Sequence, residues 1–185
     1  MDFYGRIRNT IEENIEVIPE ENRPKVYCES RLYRSAGEGT GWNQKVTLSG
    51  GNNILGDLEG YFDVDPEEVI KRDPEIIVKG PSWGTGGYTT DDITELSDMY
   101  NEVIERPELT NVTAVRNNRI YVIANDIFGG IKGNFVGMAY LSKWFYPDLF
   151  EDFDPQAIHQ EYLTEFQGLD YNLDEHGVFI YPEAE

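Results

Sequence analysis

The sequence predicts an α/β fold in which a mainly parallel central sheet carries helices on its faces. Short apolar runs rich in β-branched and aromatic residues alternate along the chain with longer segments of helical periodicity. Parallel strands need crossover connections that are usually helices, so this alternation favours a parallel sheet. Proline and glycine stand at the junctions, where turns and helix ends use them. The predicted strands are residues 25–29, 75–79, 120–123 and 178–181.

The helices are predicted from apolar spacing and from end signals. Residues 2–17 repeat large apolar side chains at steps of three and four, the pattern of an amphipathic helix. Asp65 and Pro66 are typical N-cap and first-turn residues, and Glu68 would complete a capping box. This helix is expected to end near Asp73, before a proline. The other predicted helices are residues 42–48, 90–105, 134–146 and 155–167.

The charge of the chain excludes several kinds of partner. In 185 residues, 35 Asp and Glu stand against 15 Lys and Arg, which gives a formal charge of −20. Nucleic acid and anionic lipid are bound through basic surfaces, so neither is an expected partner. The length suits one domain with a sizeable core. No apolar run reaches the roughly 20 residues that cross a bilayer, and no signal peptide is recognised.

The single cysteine, Cys28, excludes an internal disulfide framework and a cysteine metal cluster. It lies within a predicted strand, so we expect it to be a buried packing residue. A trimmed extracellular domain would begin in the same way as this chain, so the native protein can still be exported.

Three loops rich in glycine and aromatic residues follow the first three predicted strands. In a parallel sheet these loops share the carboxyl-terminal edge, where α/β folds bind ligands. Aromatic faces beside glycines and a few charges suit a bulky ligand held by stacking and polar contacts. The alternative is that the glycines only make turns and the aromatics only cap the core. The candidate ligand contacts in these loops are Arg31, Tyr33, Arg34, Trp42, Trp83, Tyr88, Asp126, Phe128 and Lys132.

Enzyme signatures are weak in this sequence. Residues 37–42 break the dinucleotide-binding pattern at its last glycine, and a Walker-type loop is absent. His159 lies in an acidic helical segment and is expected to be a surface or packing residue. His176 follows two acids in a turn, where a metal site is a weakly supported alternative. We find no catalytic constellation, no metal-ligand set and no cofactor motif.

Five segments, in order and at familiar spacing, resemble one family. They are RPKVYCESR, LSGGNNI, VDPEEVIKRDPEIIVK, ELTNVTAVRNNRIYVIANDIFGG and KWFYPDLFEDFDPQAIHQEYLTEFQGLDY. Together they resemble the carboxyl-terminal lobe of the substrate-binding proteins that serve ABC importers of iron–siderophore, haem and cobalamin, above all archaeal iron-complex binding proteins.

The resemblance implies a fold and a domain division. The fold would be a Rossmann-like three-layer sandwich, one lobe of a two-lobed class III binding protein. Residues 1–23 would be the end of the helix that links the lobes, and residues 24–185 the carboxyl-terminal ligand-binding lobe with an acidic helical tail. The ligand would lie between this lobe and an amino-terminal lobe that residues 1–185 do not include.

The resemblance also implies roles for individual residues. Glu67 matches an acidic residue that docks onto arginines of the membrane permease, although a glutamate there also stabilises a helix start. Tyr61 matches an aromatic position that lines the cleft. Asp126 and Phe128 match a loop that touches ligand. The arginine that some members carry in that loop is Gly130 here, which makes cobalamin less expected than a siderophore-like or haem-like complex.

The resemblance therefore implies a protein that captures an iron chelate at the extracellular face of the membrane or in the periplasm and delivers it to an ABC permease. Two other hypotheses remain open at this stage. One is an acidic protein-interaction domain in which residues 154–167 contact a basic partner. The other is a hydrolase or transferase that uses His159 or His176.

Overall fold

The computed structural model describes residues 2–80, 85–130 and 132–183. Its strands are β1 Lys25–Glu29, β2 Arg34–Ala36, β3 Asn52–Asn53, β4 Tyr61–Asp63, β5 Ile76–Lys79, β6 Ile120–Ile123 and β7 Ile180–Tyr181. Five of them form the central sheet in the order β3-β1-β5-β6-β7, and β2 pairs with β4 in a small separate sheet. Strands β3, β1, β5 and β6 are parallel, and β7 is antiparallel to β6. The predicted mainly parallel sheet is confirmed.

The helices are α1 Phe3–Ile15, α2 Gly41–Leu48, α3 Pro66–Arg72, α4 Thr94–Ile104, α5 Thr113–Arg116, α6 Asn125–Phe128, α7 Val136–Phe145 and α8 Pro155–Glu161. Short 3-10 turns occur at Glu20–Asn22, Pro107–Leu109 and Lys132–Asn134, and a π-helical turn, Tyr162–Phe166, continues α8. None of the described helices is both long enough and apolar enough to span a membrane.

Alternate residues of the central strands face two separate cores. Val26 and Cys28 of β1 pack in a cluster with the apolar residues of α1, α7 and α8. Tyr27, between them, packs in a second cluster that includes Val69 of α3 and Val103 of α4. Successive strand side chains point to opposite faces, so a sheet covered on both faces divides its residues in this way. The three-layer α/β sandwich is confirmed.

Helix α1 is held to the body by its apolar stripe. Phe3, Ile7, Ile11 and Ile15 are all buried, as their spacing predicts. An ion pair between Arg6 and Glu161 at 2.6 Å adds a polar link to α8. The assignment of residues 1–23 to an inter-lobe helix, and of residues 24–185 to the lobe, stays a prediction.

Helix α3 begins as predicted, except for its capping box. The Asp65 carboxylate accepts a hydrogen bond from the Glu67 amide at 2.9 Å, so Asp65 is the N-cap. The Glu68 carboxylate does not reach back to Asp65. It pairs one turn ahead with Arg72 at 2.7 Å, an i,i+4 contact, so the predicted capping box is wrong.

Two predicted loops contain regular structure. Ser35 and Ala36, expected in a flexible loop, lie in β2 and pair with β4. The loop that follows β6 begins with the single helical turn α6. Helix α4 starts at Thr94, four residues later than predicted, because Thr90 and Asp92 form side-chain turns that end in a hydrogen bond from the Thr94 amide to Asp92.

A buried ion cluster ties together the carboxyl ends of β1 and β5. The Glu29 carboxylate, completely buried, lies 2.6 Å from the Lys79 ammonium and 2.6 Å from the Arg106 guanidinium. Arg106 also pairs with Glu102 at 2.7 Å. The hydroxyl of Tyr27 donates to the same Glu29 carboxylate at 3.0 Å. Two strand ends and the end of α4 therefore converge on one carboxylate.

The state of Glu29 follows from these partners. Burial alone would raise the pKa of its carboxyl, but the hydrogen bonds and charges of Arg106 and Lys79 outweigh burial and hold the pKa below its ordinary value. Glu29 is therefore ionised in the folded protein. Removal of one member of a buried ion cluster leaves another charge buried without a partner. The resulting loss of stability is larger than the difference in stability between the intact cluster and well-packed apolar residues in its place.

We predict that Glu29→Ala lowers the free energy of unfolding by about 3–5 kcal/mol, measured by urea denaturation. Because folding lowers the pKa of Glu29, its contribution is present above the unfolded value of about 4.3 and lost as pH falls below it. The variant should therefore lose less stability than the wild type between pH 6 and pH 3. Arg8→Ala, which removes an exposed pair with Glu12, should cost only about 0.2–1 kcal/mol. Equal effects of the two substitutions would refute a structural role for the cluster.

Candidate ligand-binding site

The first and third loops meet above the end of β5. The rings of Trp42 and Phe128 make an edge contact with centroids 5.1 Å apart. Gly80, directly after β5, fits below them, and a Cβ there would lie 3.1 Å from the Trp42 ring and 3.3 Å from Phe128. A side chain at position 80 would therefore require these rings to shift by a few tenths of an ångström.

The second loop meets the third through Asp126. Gly87 has φ +91°, and a Cβ at this position would collide with the Asp126 carboxylate. The amide of Tyr88 donates a hydrogen bond to the same carboxylate at 3.3 Å. Glycine is needed here both for its backbone conformation and for the close approach of the carboxylate. Loops that lie far apart in the chain are thus packed into one surface.

The hydroxyl of Tyr88 is the centre of a hydrogen-bonded chain. The Lys132 ammonium lies 3.4 Å from this hydroxyl and 4.5 Å from the centroid of the ring. The Tyr88 oxygen also lies 2.6 Å from His159 Nε2. Because an ammonium can only donate, the consistent arrangement has Lys132 donating to Tyr88 and Tyr88 donating to a neutral His159.

Burial explains the charge states of this chain. His159 is 1% exposed, and desolvation, with the nearby charge of Lys132, lowers its pKa to about 3. Desolvation also raises the pKa of Tyr88, further increased by the charge of Asp126. Desolvation lowers the pKa of Lys132, while Asp126 opposes that shift. At neutral pH the chain therefore carries a neutral imidazole and a protonated phenol.

Lys45 is a second cation at this edge and was not among the predicted contacts. Its side chain is 6% exposed, and its ammonium donates to the Gly41 carbonyl at 3.3 Å and lies 5.7 Å from the Phe128 ring. Burial lowers its pKa. Among the described residues no carboxylate lies within 4 Å of it. The sequence signal for Lys45 was its position three residues after Trp42, which places both side chains on the same face of α2.

The remaining predicted contacts form a separate group around β2 and β4. Tyr61 is 56% exposed, Arg31 is exposed, and Arg34 pairs with Asp63 at 3.4 Å. Tyr33, with φ 51°, is buried; its ring lies under the Arg106 guanidinium and its hydroxyl donates to Glu108 at 2.6 Å. The described residues include no hydrogen bond, ion pair or ring contact between this group and Tyr88, Asp126 or Lys132.

The predicted contact residues differ in solvent exposure, and therefore in how much of each side chain a ligand could touch. Phe128 is 1% exposed, so its ring belongs to the core in this structure. Trp42, Tyr88, Asp126 and Lys132 are partly exposed. Trp83 lies outside the described residues. The contact roles of all these residues stay predictions, with the partly exposed ones in the better position to touch a ligand.

The cysteine and the two histidines are the side chains of this chain that most often ligate metals or react. Within the described parts of the chain, no group of three or more His, Cys, Asp or Glu side chains could hold a metal ion. Cys28 is free and buried, and burial raises the pKa of its thiol to about 12. His159 is engaged by Tyr88, while His176 is exposed and lies 3.4 Å from Asp91.

Residues 2–127 match the periplasmic binding protein family. The chain belongs to this family. The match covers the sheet from β1 to β6 and the first two loops, and it ends within the third loop at α6. Members of the family are solute-binding proteins. A search of curated protein sequences finds no match.

Solved structures show the same fold at low sequence identity. The TroA-like periplasmic binding protein FepB from Veillonella parvula superposes with a TM-score of 0.78 at 23% identity, over 96% of this chain and 53% of its own. The molybdate-binding MolA from Haemophilus influenzae gives 0.75 at 16%, over 92% and 50%. CeuE from Helicobacter pylori, solved with Ni(II) bound, gives 0.71 at 16%, over 91% and 52%. The chain therefore spans about half the length of these relatives.

We predict that His159→Phe removes part of the acid sensitivity of the fold. Folding lowers the pKa of His159 from about 6.5 to about 3, so protonation favours the unfolded chain. The contribution of neutral His159 to the free energy of unfolding is intact above pH 6.5. Between pH 6.5 and 3 this contribution falls by up to about 1.4 kcal/mol per pH unit. The difference in unfolding free energy between wild type and variant should shrink over this window.

His176→Gln is the matched control, because that ring is 55% exposed. This control should change the pH dependence of stability less than His159→Phe does, because the ring and its partner Asp91 are both exposed to solvent. Parallel stability curves for wild type and His159→Phe between pH 6.5 and 3 would contradict a buried neutral histidine.

Proposed function

We propose that this chain is part of the solute-binding component of an ABC importer, with the ligand held against the carboxyl-terminal edge of its sheet. The observation that carries the proposal is the convergence of the loops after β1, β5 and β6, through Trp42–Phe128 and Tyr88–Asp126, in a chain of the periplasmic binding protein family. Ligands of open α/β sheets bind at this edge. The partly exposed aromatic and charged residues there suit recognition of a small molecule.

The proposed ligand is an iron chelate of the siderophore or haem type. Lys45 and Lys132 are at the loops, and Arg31 and Arg34 are on the adjoining β2 side. These cations suit an anionic chelate, and Trp42 and Tyr88 suit its flat or bulky organic groups. The nickel-bound CeuE and the molybdate-binding MolA share the fold, which supports a metal-containing or oxyanionic cargo without selecting between them.

The proposed function requires a second lobe to enclose the ligand and a membrane protein to receive it. Because the chain spans about half of its structural relatives, we propose that an amino-terminal lobe closes over the ligand and that residues 1–23 lead into this chain from it. The proposed location is the periplasm or the extracellular face of the membrane. The second partner is the ABC permease.

Glu67 is proposed as a permease contact because of its position on α3. It is exposed in the first turn of that helix, and only its backbone amide takes part in the Asp65 cap. Among the described residues Glu67 has no ion-pair partner, so its carboxylate can pair with an arginine of the permease without loss of a pair seen in this structure. Ile70, one turn further on, is also exposed.

We predict that a ferric catecholate chelate or hemin quenches the tryptophan fluorescence of the protein produced together with its amino-terminal lobe. Trp42→Phe should remove a large share of this quenching, because Trp42 lies among the loops against which the ligand is proposed to bind. Trp144→Phe is the control, because Trp144 is 3% exposed and stacks on Tyr121 in the body of the fold. Lys132→Gln should weaken binding by about 10-fold for an anionic chelate. No quenching by either probe in the two-lobed protein would overturn the proposed ligand class.

We predict that Glu67→Lys abolishes stimulation of permease ATPase activity in proteoliposomes and leaves chelate binding unchanged, because the reversed charge would repel an arginine of the permease. The control is Glu95→Lys, since Glu95 is also an exposed acidic residue in the first turn of a helix, α4. Both substitutions remove a similar helix-dipole contribution of about 0.3–1 kcal/mol. Equal stimulation by the two variants would exclude Glu67 as a docking residue.

A further inference from the structure

A cavity of about 250 Å³ lies beside α8. Its lining comes from Ile93, from α7, from α8 with its cap Asp154 and from residues 173–183. The apolar part of the wall is formed by Ile93, Pro155, Leu173, Val178, Phe179 and Ile180. The volume is small for a drug-sized ligand and suits a molecule of about one ring.

Tyr140 gives this cavity a polar group without a partner. The side chain is 5% exposed and lines the cavity. Within residues 2–80, 85–130 and 132–183, its hydroxyl makes no hydrogen bond. Because this hydroxyl has no partner among these residues and lines the cavity, it is available to accept a bond from a ligand.

The charges of the lining are all negative. Asp154 and Glu183 carry the carboxylates, and none of the described lining residues is Lys or Arg. One oxygen of Asp154, Oδ1, caps α8 by accepting from the amides of Gln156 and Ala157. The other oxygen, Oδ2, has no hydrogen bond among the described residues. His159 also lines the cavity, but its Nε2 is engaged by Tyr88.

We propose that this cavity binds a compact organic cation, an ammonium group carried on an apolar body no larger than one ring. The ammonium donates to Asp154 Oδ2 and to the Tyr140 hydroxyl, and the apolar body lies against Phe179 and Leu173. An aromatic ring and a carboxylate around an apolar space are the features that recognise such cations. The formal charge of −20 concentrates cations near the protein.

The test compares three probes of similar shape on the full chain: benzylamine, benzyl alcohol and phenylacetate. Binding is followed by amide chemical shifts at constant ionic strength. Benzylamine should shift the amides of Val178, Phe179 and His159 in a saturable manner. Benzyl alcohol should bind about 10-fold more weakly or worse, since it lacks one charge-assisted hydrogen bond, and phenylacetate should not bind.

Two variants assign the contacts. Asp154→Asn keeps a good N-cap and removes the charge, so it should weaken benzylamine by about 10-fold and leave folding intact. Asp65→Asn makes the same change at the cap of α3, outside the cavity, and should have no effect on affinity. Tyr140→Phe should weaken binding by about 2- to 10-fold through loss of the hydroxyl.

Three outcomes would overturn the proposal. They are equal affinity for benzylamine and benzyl alcohol, shifts spread over the acidic surface with no saturation, and equal loss of affinity in the Asp154 and Asp65 variants. If Tyr140→Phe fails to fold, the probe series and the aspartate pair still decide. The proposal does not depend on the function proposed for the loops, which a chelate titration tests separately.

Discussion

The buried carboxylate of Glu29 is the constraint on which the carboxyl-terminal edge of the sheet depends. It ends β1, and its contacts with Lys79 and Arg106 bind that strand end to the end of β5 and to the second residue after α4. A charge in this position is stable only with its partners in place. The loops after β1 and β5 therefore leave the sheet from a rigid base, although the loops themselves are rich in glycine.

Tyr88, in the second loop, fixes that loop to the third loop and to the carboxyl-terminal segment. Its amide is held by Asp126, its hydroxyl by Lys132 and His159, and its carbonyl accepts from Tyr171 at 3.1 Å. His159 and Tyr171 come from the carboxyl-terminal segment, which lies beyond the part of the chain that matches the family. This segment therefore packs against the second and third loops and holds them in place. Such preorganisation reduces the conformational entropy that a site loses when it binds a ligand.

Local patterns predicted most of the fold, whereas contacts between distant segments could not be read from them. The spacing of Phe3, Ile7, Ile11 and Ile15 and the cap at Asp65 specify helices within a few residues, so α1 and α3 were predictable. Strands β2 and β4 are three residues each and exist only because they pair with each other across the chain. The ligand role of Phe128 was inferred from its loop, but its burial depends on Trp42 and Lys45, which the sequence places far away. A charged residue at the end of an apolar strand, as at Glu29 and Lys79, was a usable signal for the buried cluster.

The acidity of the chain and the cations at its loops act on different length scales. Exposed charges are screened beyond about 8–10 Å at physiological salt, so most of the 35 acidic residues contribute little at the loops. Lys45 and Lys132 are partly or largely buried, and desolvation lowers the pKa of both ammonium groups. A desolvated cation whose lost water is only partly replaced by protein groups is stabilised when an anion supplies the missing contact. In the proposed function, these two lysines, more than the net charge, would recognise an anionic ligand at the carboxyl-terminal edge.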